Sequence, residues 1–316
     1  MIVALSLLAG AVSASWWMPR WLRARDLRRR DPVLLILCWV LSAFGVALAA
    51  VAGVMLLLLP SHGSFGPLLA AITGCWDALQ HGSPPAVEQA GGALGLALLG
   101  AAACRLLVVG ARGIRWRARL RREHLAALRL AGRADGEATV WLAHDRPLAF
   151  SLGGRRGVVV ATEGLRRHLD RDAVAAVLVH ERAHLAGRHH QLVALADALR
   201  TALPFLPLLR EAPAALRELV ELAADVTATR RCGPRAVRSA LVGVSGCGTP
   251  AIALAMARDA VDVRLARLDW GGVPSGGVRR LAVRGAAGVI AALLPFVVGA
   301  ALTISAALTA CLLGLV

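Results

Sequence analysis

Lysine and tyrosine are absent from this sequence, so all 36 of its basic residues are arginine. Without lysine there is no Schiff-base amine and no Ser-x-x-Lys acylation pair, and without tyrosine no phenol can serve an oxyanion. Cysteine is scarce: six residues at 38, 75, 104, 232, 247 and 311 form no Cys-x-x-Cys pair and no framework spacing. They read as small core or lipid-facing residues. A Cys232–Cys247 disulfide stays open on sequence grounds, although a cytoplasmic location argues against it. No internal repeat is present.

Apolar residues are abundant instead, at 57% of the chain with a mean hydropathy of +0.63. Four runs, 2–18, 33–60, 90–110 and 285–315, are long enough to cross a hydrocarbon layer of about 30 Å. The first has no basic residue ahead of it, as a secretory signal would, and reads as a retained span; Ser13-Ala14-Ser15 keeps cleavage open as an alternative. Pro295 can kink the last span, which membrane helices tolerate. Trp16, Trp17 and Trp21 fit an interfacial anchor.

The net charge of +16 collects beside these runs, where it anchors a membrane protein more simply than it would bind nucleic acid. Arg20, Arg23, Arg25, Arg28, Arg29 and Arg30 crowd the first loop, whereas the 61–89 loop has no arginine. Six more arginines lie between 112 and 122, and Arg279, Arg280 and Arg284 precede the last run. Because cytoplasmic loops retain positive charge, both termini are expected outside and the 111–278 segment inside. The layout is three spans over 1–110, a cytoplasmic domain over 111–278 and a fourth span over 279–316.

Within that domain, 138–142 and 157–162 are β-rich and separated by Pro147 and Gly153-Gly154, which predicts a hairpin. Helices are predicted over 171–187, capped by Asp170 and stopped near Gly187, then over 189–203, 212–231 and 234–244. Residues 245–278 are broken by glycine and proline around one helix placed at 251–267.

On the first of these helices stands His180-Glu181-Arg182-Ala183-His184. Residues four apart share a helical face, so both imidazoles can reach one ion, and Glu181 can address a water beside it. Zinc favours such ligands; catalytic sites use three protein ligands plus water, whose pKa falls to about 7. The third ligand must be a carboxylate further along. Glu221 opens Glu221-Leu222-Ala223-Ala224-Asp225, which puts Asp225 one turn on, able to accept the second ring N–H of a liganding histidine. Glu218 shares the face and ranks second. For the oxyanion, Arg230, Arg231, His189 and His190 remain open. The 157–162 strand is expected to offer an open edge to an extended peptide.

The run from Pro147 through Ala149-Phe150, then Gly157 to Leu165, Val177 to Glu181 and Arg188-His189-His190 resembles the gluzincin membrane proteases: CAAX prenyl-protein, HtpX-type and BlaR/MecR-type peptidases. Three spans, a zinc domain and a final span look most like the BlaR/MecR type. The resemblance implies an α+β zincin-like domain in a multi-pass α-helical membrane protein, one zinc held by His180, His184 and Glu221, Glu181 as catalytic base and Asp225 behind the ligands. It implies hydrolysis of a cytoplasmic or membrane-proximal protein, in regulatory signalling. The alternatives are a housekeeping or prenyl-type protease and a metal-stabilised scaffold that does not cut. Because the sequence stops at Val316, the receptor members' extracellular sensor is expected to be missing, which leaves the trigger and any sensor or repressor partner open.

Overall fold

The computed structural model describes residues 2–24, 30–58, 85–135, 139–154, 157–245, 261–269 and 278–312. The chain is mostly helical with one small sheet. In order come α1 (Ile2–Arg23), α2 (Pro32–Leu58), α3 (Pro85–Ala131), β1 (Gly132–Asp135), β2 (Thr139–Leu142), β3 (Ala149–Leu152), β4 (Val158–Thr162), α4 (Glu163–His168), α5 (Arg171–Ala186), α6 (His189–Ala202), α7 (Pro207–Cys232) and α8 (Pro234–Ser245). A helix over 261–269, here α9, and the long α10 (Val278–Leu312) follow.

Four helices are long and apolar enough to cross a membrane: α1, α2, the Gln89–Glu123 part of α3 and the Leu281–Thr309 part of α10. Phe44, Leu94, Leu98, Ile290 and Ile304 point outward from them, exposed in a way that suits lipid and not water. Trp16, Trp17 and Trp21 are also exposed, at the end of α1 beside Arg20, whose guanidinium stacks over the Trp16 ring. The expected boundary at residue 110 falls inside a single 47-residue helix, because nothing in the arginine-rich stretch that follows breaks α3.

Helices α1, α2 and α10 pack on one another, and α3 lies against α2. The N-terminal half of α7 closes the bundle: Leu208, Ala212, Leu216 and Leu219 recur at helical spacing and join Met18, Leu22, Leu35 and Cys38 in one core. A second core gathers Trp141, Ala161, Leu165, Ala173 and Ala176 with Ala228, Val237 and Leu241. Helix α7 thus belongs to both cores, one along each half.

The sheet runs in the order β1-β2-β4-β3. The expected hairpin of 138–142 with 157–162 is not formed: β2 and β4 pair in parallel, with Val140 opposite Val160. The reason is a strand the alternation signal is too short to reveal, Ala149–Leu152, which folds back antiparallel on β4 through the Gly153-Gly154 turn. Thr162 stitches the intervening loop: its hydroxyl donates to the Arg146 carbonyl at 2.6 Å and accepts from the Leu148 amide at 3.0 Å. Strand β4, expected to show an open edge, is therefore flanked on both sides, and among the described residues the edge near the helices belongs to β3.

The helices predicted over 171–187, 189–203, 212–231 and 234–244 are present, one of them with a shifted start. α7 begins five residues earlier than expected, at Pro207, where a proline needs no hydrogen-bond partner, and Pro213 is carried within it. Of the helix placed at 251–267, only the part from 261 lies among the described residues. Cys247 lies outside them too, so the Cys232–Cys247 pairing is not addressed.

Small residues let the apolar helices touch. A Cβ on Gly45 of α2 would stand 2.1 Å from the Ala292 carbonyl oxygen of α10, so any side chain forces the two helices apart. Gly45→Leu should lower the unfolding free energy of the detergent-solubilised protein by about 1–3 kcal/mol or more. Thermal unfolding in detergent checks this; a variant as stable as the parent contradicts the close crossing.

Candidate metal centre

Helix α5 starts where Asp170 accepts a hydrogen bond from the Ala173 amide at 2.7 Å, with Asp172 in the positively polarised first turn. It ends at Gly187, but the reversal itself is made by Arg188, the sole non-glycine residue with positive φ (50°) among those described. That turn places His189 at the first position of α6 with its ring folded back on α5. A Cβ at Gly187 would lie 2.3 Å from the His189 ring, so the glycine makes room for the imidazole.

The motif residues converge with the α7 carboxylate. His180 Nε2 and His184 Nε2 are 3.1 Å apart, and the Glu221 carboxylate oxygens lie 3.3 Å from the first and 3.4 Å from the second. Zinc–ligand bonds of about 2.0–2.1 Å in a tetrahedron separate neighbouring donors by about 3.3 Å. One atom from each residue thus lies within 4.8 Å of the other two, close enough to share an ion, and two neutral imidazoles with one carboxylate are a donor set that suits zinc. Glu218, the second-ranked ligand, is not in this group; it is exposed and faces the Arg23 charge.

Behind the triad, Asp225 Oδ1 lies 2.9 Å from His180 Nδ1. It accepts that N–H, which leaves the Nε2 lone pair directed at the site. Asp225 is 4% exposed and is also gripped by a residue the sequence did not single out: Arg264 of α9 donates Nε–H to Oδ2 at 2.6 Å and Nη2–H to Oδ1 at 2.7 Å. Its Nη1 stands 3.6 Å from Glu221. His184 has its own neighbour, with His189 Nδ1 at 3.0 Å from His184 Nδ1. Of the four side chains considered for an oxyanion, His189 adjoins the triad. His190 is exposed near Gly153, and Arg230 and Arg231 sit in the exposed last turn of α7, about 13 Å along the axis beyond Glu221.

Burial and charge set the protonation of these groups. Burial disfavours charge on His180, but hydrogen bonds to Asp225 and Glu221 outweigh it and raise its pKa to about 9. Burial lowers His184 to about 4 despite the nearby Glu221. Burial opposes the Asp225 charge as well, and the Arg264 and His180 hydrogen bonds overcome it, bringing the carboxyl down to about 2. Glu221 is likewise pulled below its ordinary value by His180 against the effect of burial. Glu181 goes the other way: burial raises it, and the His180 charge and a hydrogen bond from Ser151 of β3 only partly offset this.

A consequence can be measured. In the metal-free protein at neutral pH His180 carries a proton, and His184, Glu221 and Asp225 do not. Metal uptake should therefore expel about one proton per site at pH 7. The affinity should rise about tenfold per pH unit and level off above about pH 9, where His180 is already neutral. Calorimetry in buffers of differing protonation enthalpy counts the proton; uptake without release contradicts a charged His180.

Residues 115–231 match the family model described as Peptidase family M48. A 60-residue stretch is 43% identical to a protein named Protease HtpX homolog from Methanopyrus kandleri, covering 19% of this chain and 19% of that protein. The match thus spans about a fifth of the relative's length. No solved structure matches. The matched segment takes in β1 through α7 with His180, Glu181, His184 and Glu221, and these likenesses, with the apolar helices around it, support a membrane metalloprotease similar to the M48 peptidases.

Proposed function

We propose that this chain is a membrane-embedded zinc endopeptidase in which His180, His184 and Glu221 hold one zinc ion, Glu181 is the general base and Asp225 orients His180. The observation that carries the reading is the convergence, from two helices, of His180 Nε2 and His184 Nε2 at 3.1 Å with the Glu221 carboxylate, one oxygen 3.3 Å from the first nitrogen and the other 3.4 Å from the second. Zinc held there would supply a Lewis acid that polarises the scissile carbonyl and acidifies the attacking water.

The protein's own groups do the rest. Glu181, one position along from His180, lines the same cleft and stands where it can take the proton from that water and return it to the leaving amine. Its raised pKa brings it nearer the working pH, which favours both halves of the transfer. Ser151 bonds to Glu181, so β3 runs along the site, and its outer edge, unpaired among the described residues, suits an extended substrate adding as a further strand. Next to Glu181 the cleft is lined by Val177, Val237, Leu241 and Val244, which fit an apolar side chain flanking the cut bond.

The substrate in this reading is a protein at or near the cytoplasmic membrane face, because arginine gathers at the ends of the apolar helices nearest the metal centre. Three apolar helices before the domain and one after it support a BlaR/MecR-type layout with a regulatory role, whereas the sequence likenesses fall on the HtpX side of the resemblance. The shared chemistry is the same in both.

Purified protein should take up one zinc per chain, and His184→Ala should abolish that uptake. Glu181→Gln should keep the zinc and lose about 10²–10⁴-fold in cleavage rate. Comparing cleaved proteins in cells with the parent and with Glu181→Gln identifies the substrate. Undiminished cleavage by Glu181→Gln, or wild-type protein that takes up no zinc, overturns the assignment.

A further inference from the structure

We infer that Arg264 is a positioning residue for the metal centre, and that α9, which carries it, is the strut through which Arg30 and Asp31, just ahead of α2, steady that centre. The inference rests on the zinc reading above and extends it to residues outside the motif.

Arg264 has a 3.6 Å charge contact with a Glu221 oxygen, but its close hydrogen bonds lie one bond further back, on Asp225. Its planar fork holds both oxygens of Asp225, and Oδ1 is the oxygen that also receives His180 Nδ1–H. A carboxylate gripped along one edge has a fixed plane, so the imidazole bonded to it has a fixed plane too. Asp225 sits on the long α7 and His180 on α5, and Arg264 reaches this contact from a third helix. The buried charge of Asp225 needs this cation, because an uncompensated carboxylate at that depth is expensive.

What holds α9 is as informative as what it holds. Leu265 and Leu268 pack against the core formed by α5 and α8, and Asp269 forms an ion pair with Arg238 of α8. On the other side, Arg267 is 7% exposed and donates Nη1–H to the Arg30 carbonyl at 2.7 Å. The next residue, Asp31, accepts from Arg284 at the base of α10 at 2.7 Å, and its other oxygen takes the Val33 amide at the start of α2. Arg264 and Arg267 are three residues apart, so one turn of helix connects the Asp225–His180 pair to the point where Arg30, Asp31 and α10 are tied together. A displacement of Arg30 and Asp31 draws on Arg267, and through one rigid turn on Arg264. The metal centre is then sensitive to how the apolar bundle is packed, with no ligand residue having to contact the bundle.

The test uses the full chain in detergent micelles and measures zinc affinity by competition with a chromogenic chelator. Arg264→Gln should weaken binding about 10–100-fold. Arg264→Lys, which keeps charge but not the fork, should fall between it and the parent. Arg267→Gln leaves the whole metal centre intact and should weaken binding several-fold. Arg217→Gln, which removes an exposed pair with Asp197 on α6, should leave it unchanged. If Arg264→Gln folds poorly, the double variant with Asp225→Asn removes the uncompensated charge; its affinity should fall no more than a few-fold below that of Asp225→Asn alone, since Arg264 acts mainly through Asp225 and its 3.6 Å contact with Glu221 is the weaker one. Parental affinity in both Arg264 variants, or in Arg267→Gln, overturns the inference, as does a double variant weaker than Asp225→Asn by about tenfold or more. These results are read against His184→Ala: if that variant and the parent bind alike, the metal reading has failed and not the strut.

Discussion

A single carboxylate, that of Asp225, sets most of the constraints at the centre of this protein. It is almost completely buried on α7, and a bare charge at that depth would cost more than the fold can spare, so it must be met from several directions. It is met from α5 by His180 and from α9 by Arg264, at 2.9 Å and at 2.6 and 2.7 Å. Three helices far apart in sequence are thereby held at one point. The same pairing fixes the tautomer of His180, so the requirement of charge compensation and the requirement of a correctly presented donor are satisfied by one set of contacts.

The placement of that carboxylate follows from the two faces of α7. One stripe, Leu208, Ala212, Leu216 and Leu219, belongs to the core shared with the apolar helices; the residues that follow along the helix, Glu221, Asp225 and Ala228, face α5 and the sheet-side core. A helix of 26 residues is about 39 Å long, enough to serve both cores in succession. Glu221 falls where the helix passes from one core to the other, which leaves its carboxylate partly open to a cleft while Asp225, a turn deeper, is closed off. Burial then separates their behaviour: one carboxylate opens to the cleft where the proposed zinc would sit, and the other stands closed off behind His180.

The sequence made the centre of this arrangement legible because helical periodicity is a strong constraint at spacings of three and four. His180 and His184 share a face whatever else happens, and so do Glu221 and Asp225, so a motif and a five-residue echo of it sufficed to pick the residues the fold brings together. The sheet was legible only in part. Four-residue strands such as Ala149–Leu152 are too short for alternation to register, and missing that one turned a β2–β3–β4 arrangement with a parallel pair into a simple hairpin. Arg264 was out of reach for a different reason. In a chain whose 36 basic residues are all arginine, one more arginine after a glycine- and proline-rich stretch carries no local signal, and its role depends on two carboxylates some forty residues upstream. The glycine at 187 was read correctly as a place where α5 ends, but its physical use is room for the His189 ring, with Arg188 taking the positive φ.

The remaining question is why β3, an edge strand among the described residues, should lie beside such a site. Unpaired strand edges invite aggregation, and proteins ordinarily blunt them by keeping them short or covering them. β3 has four residues and a glycine turn at one end, which is too little to template another sheet but enough for two or three backbone hydrogen bonds. Ser151, on that strand, is bonded to Glu181, so a peptide aligned on β3 would be held at a fixed distance from the general base. Affinity in such an arrangement comes from main-chain groups and is nearly independent of sequence, which leaves selection to the apolar cleft lined by Val177, Val237, Leu241 and Val244. On this reading, the fold separates three tasks that a protease must perform: β3 aligns the chain to be cut, the α8 side of the cleft discriminates among side chains, and the α5–α7 pair, braced through α9, does the chemistry.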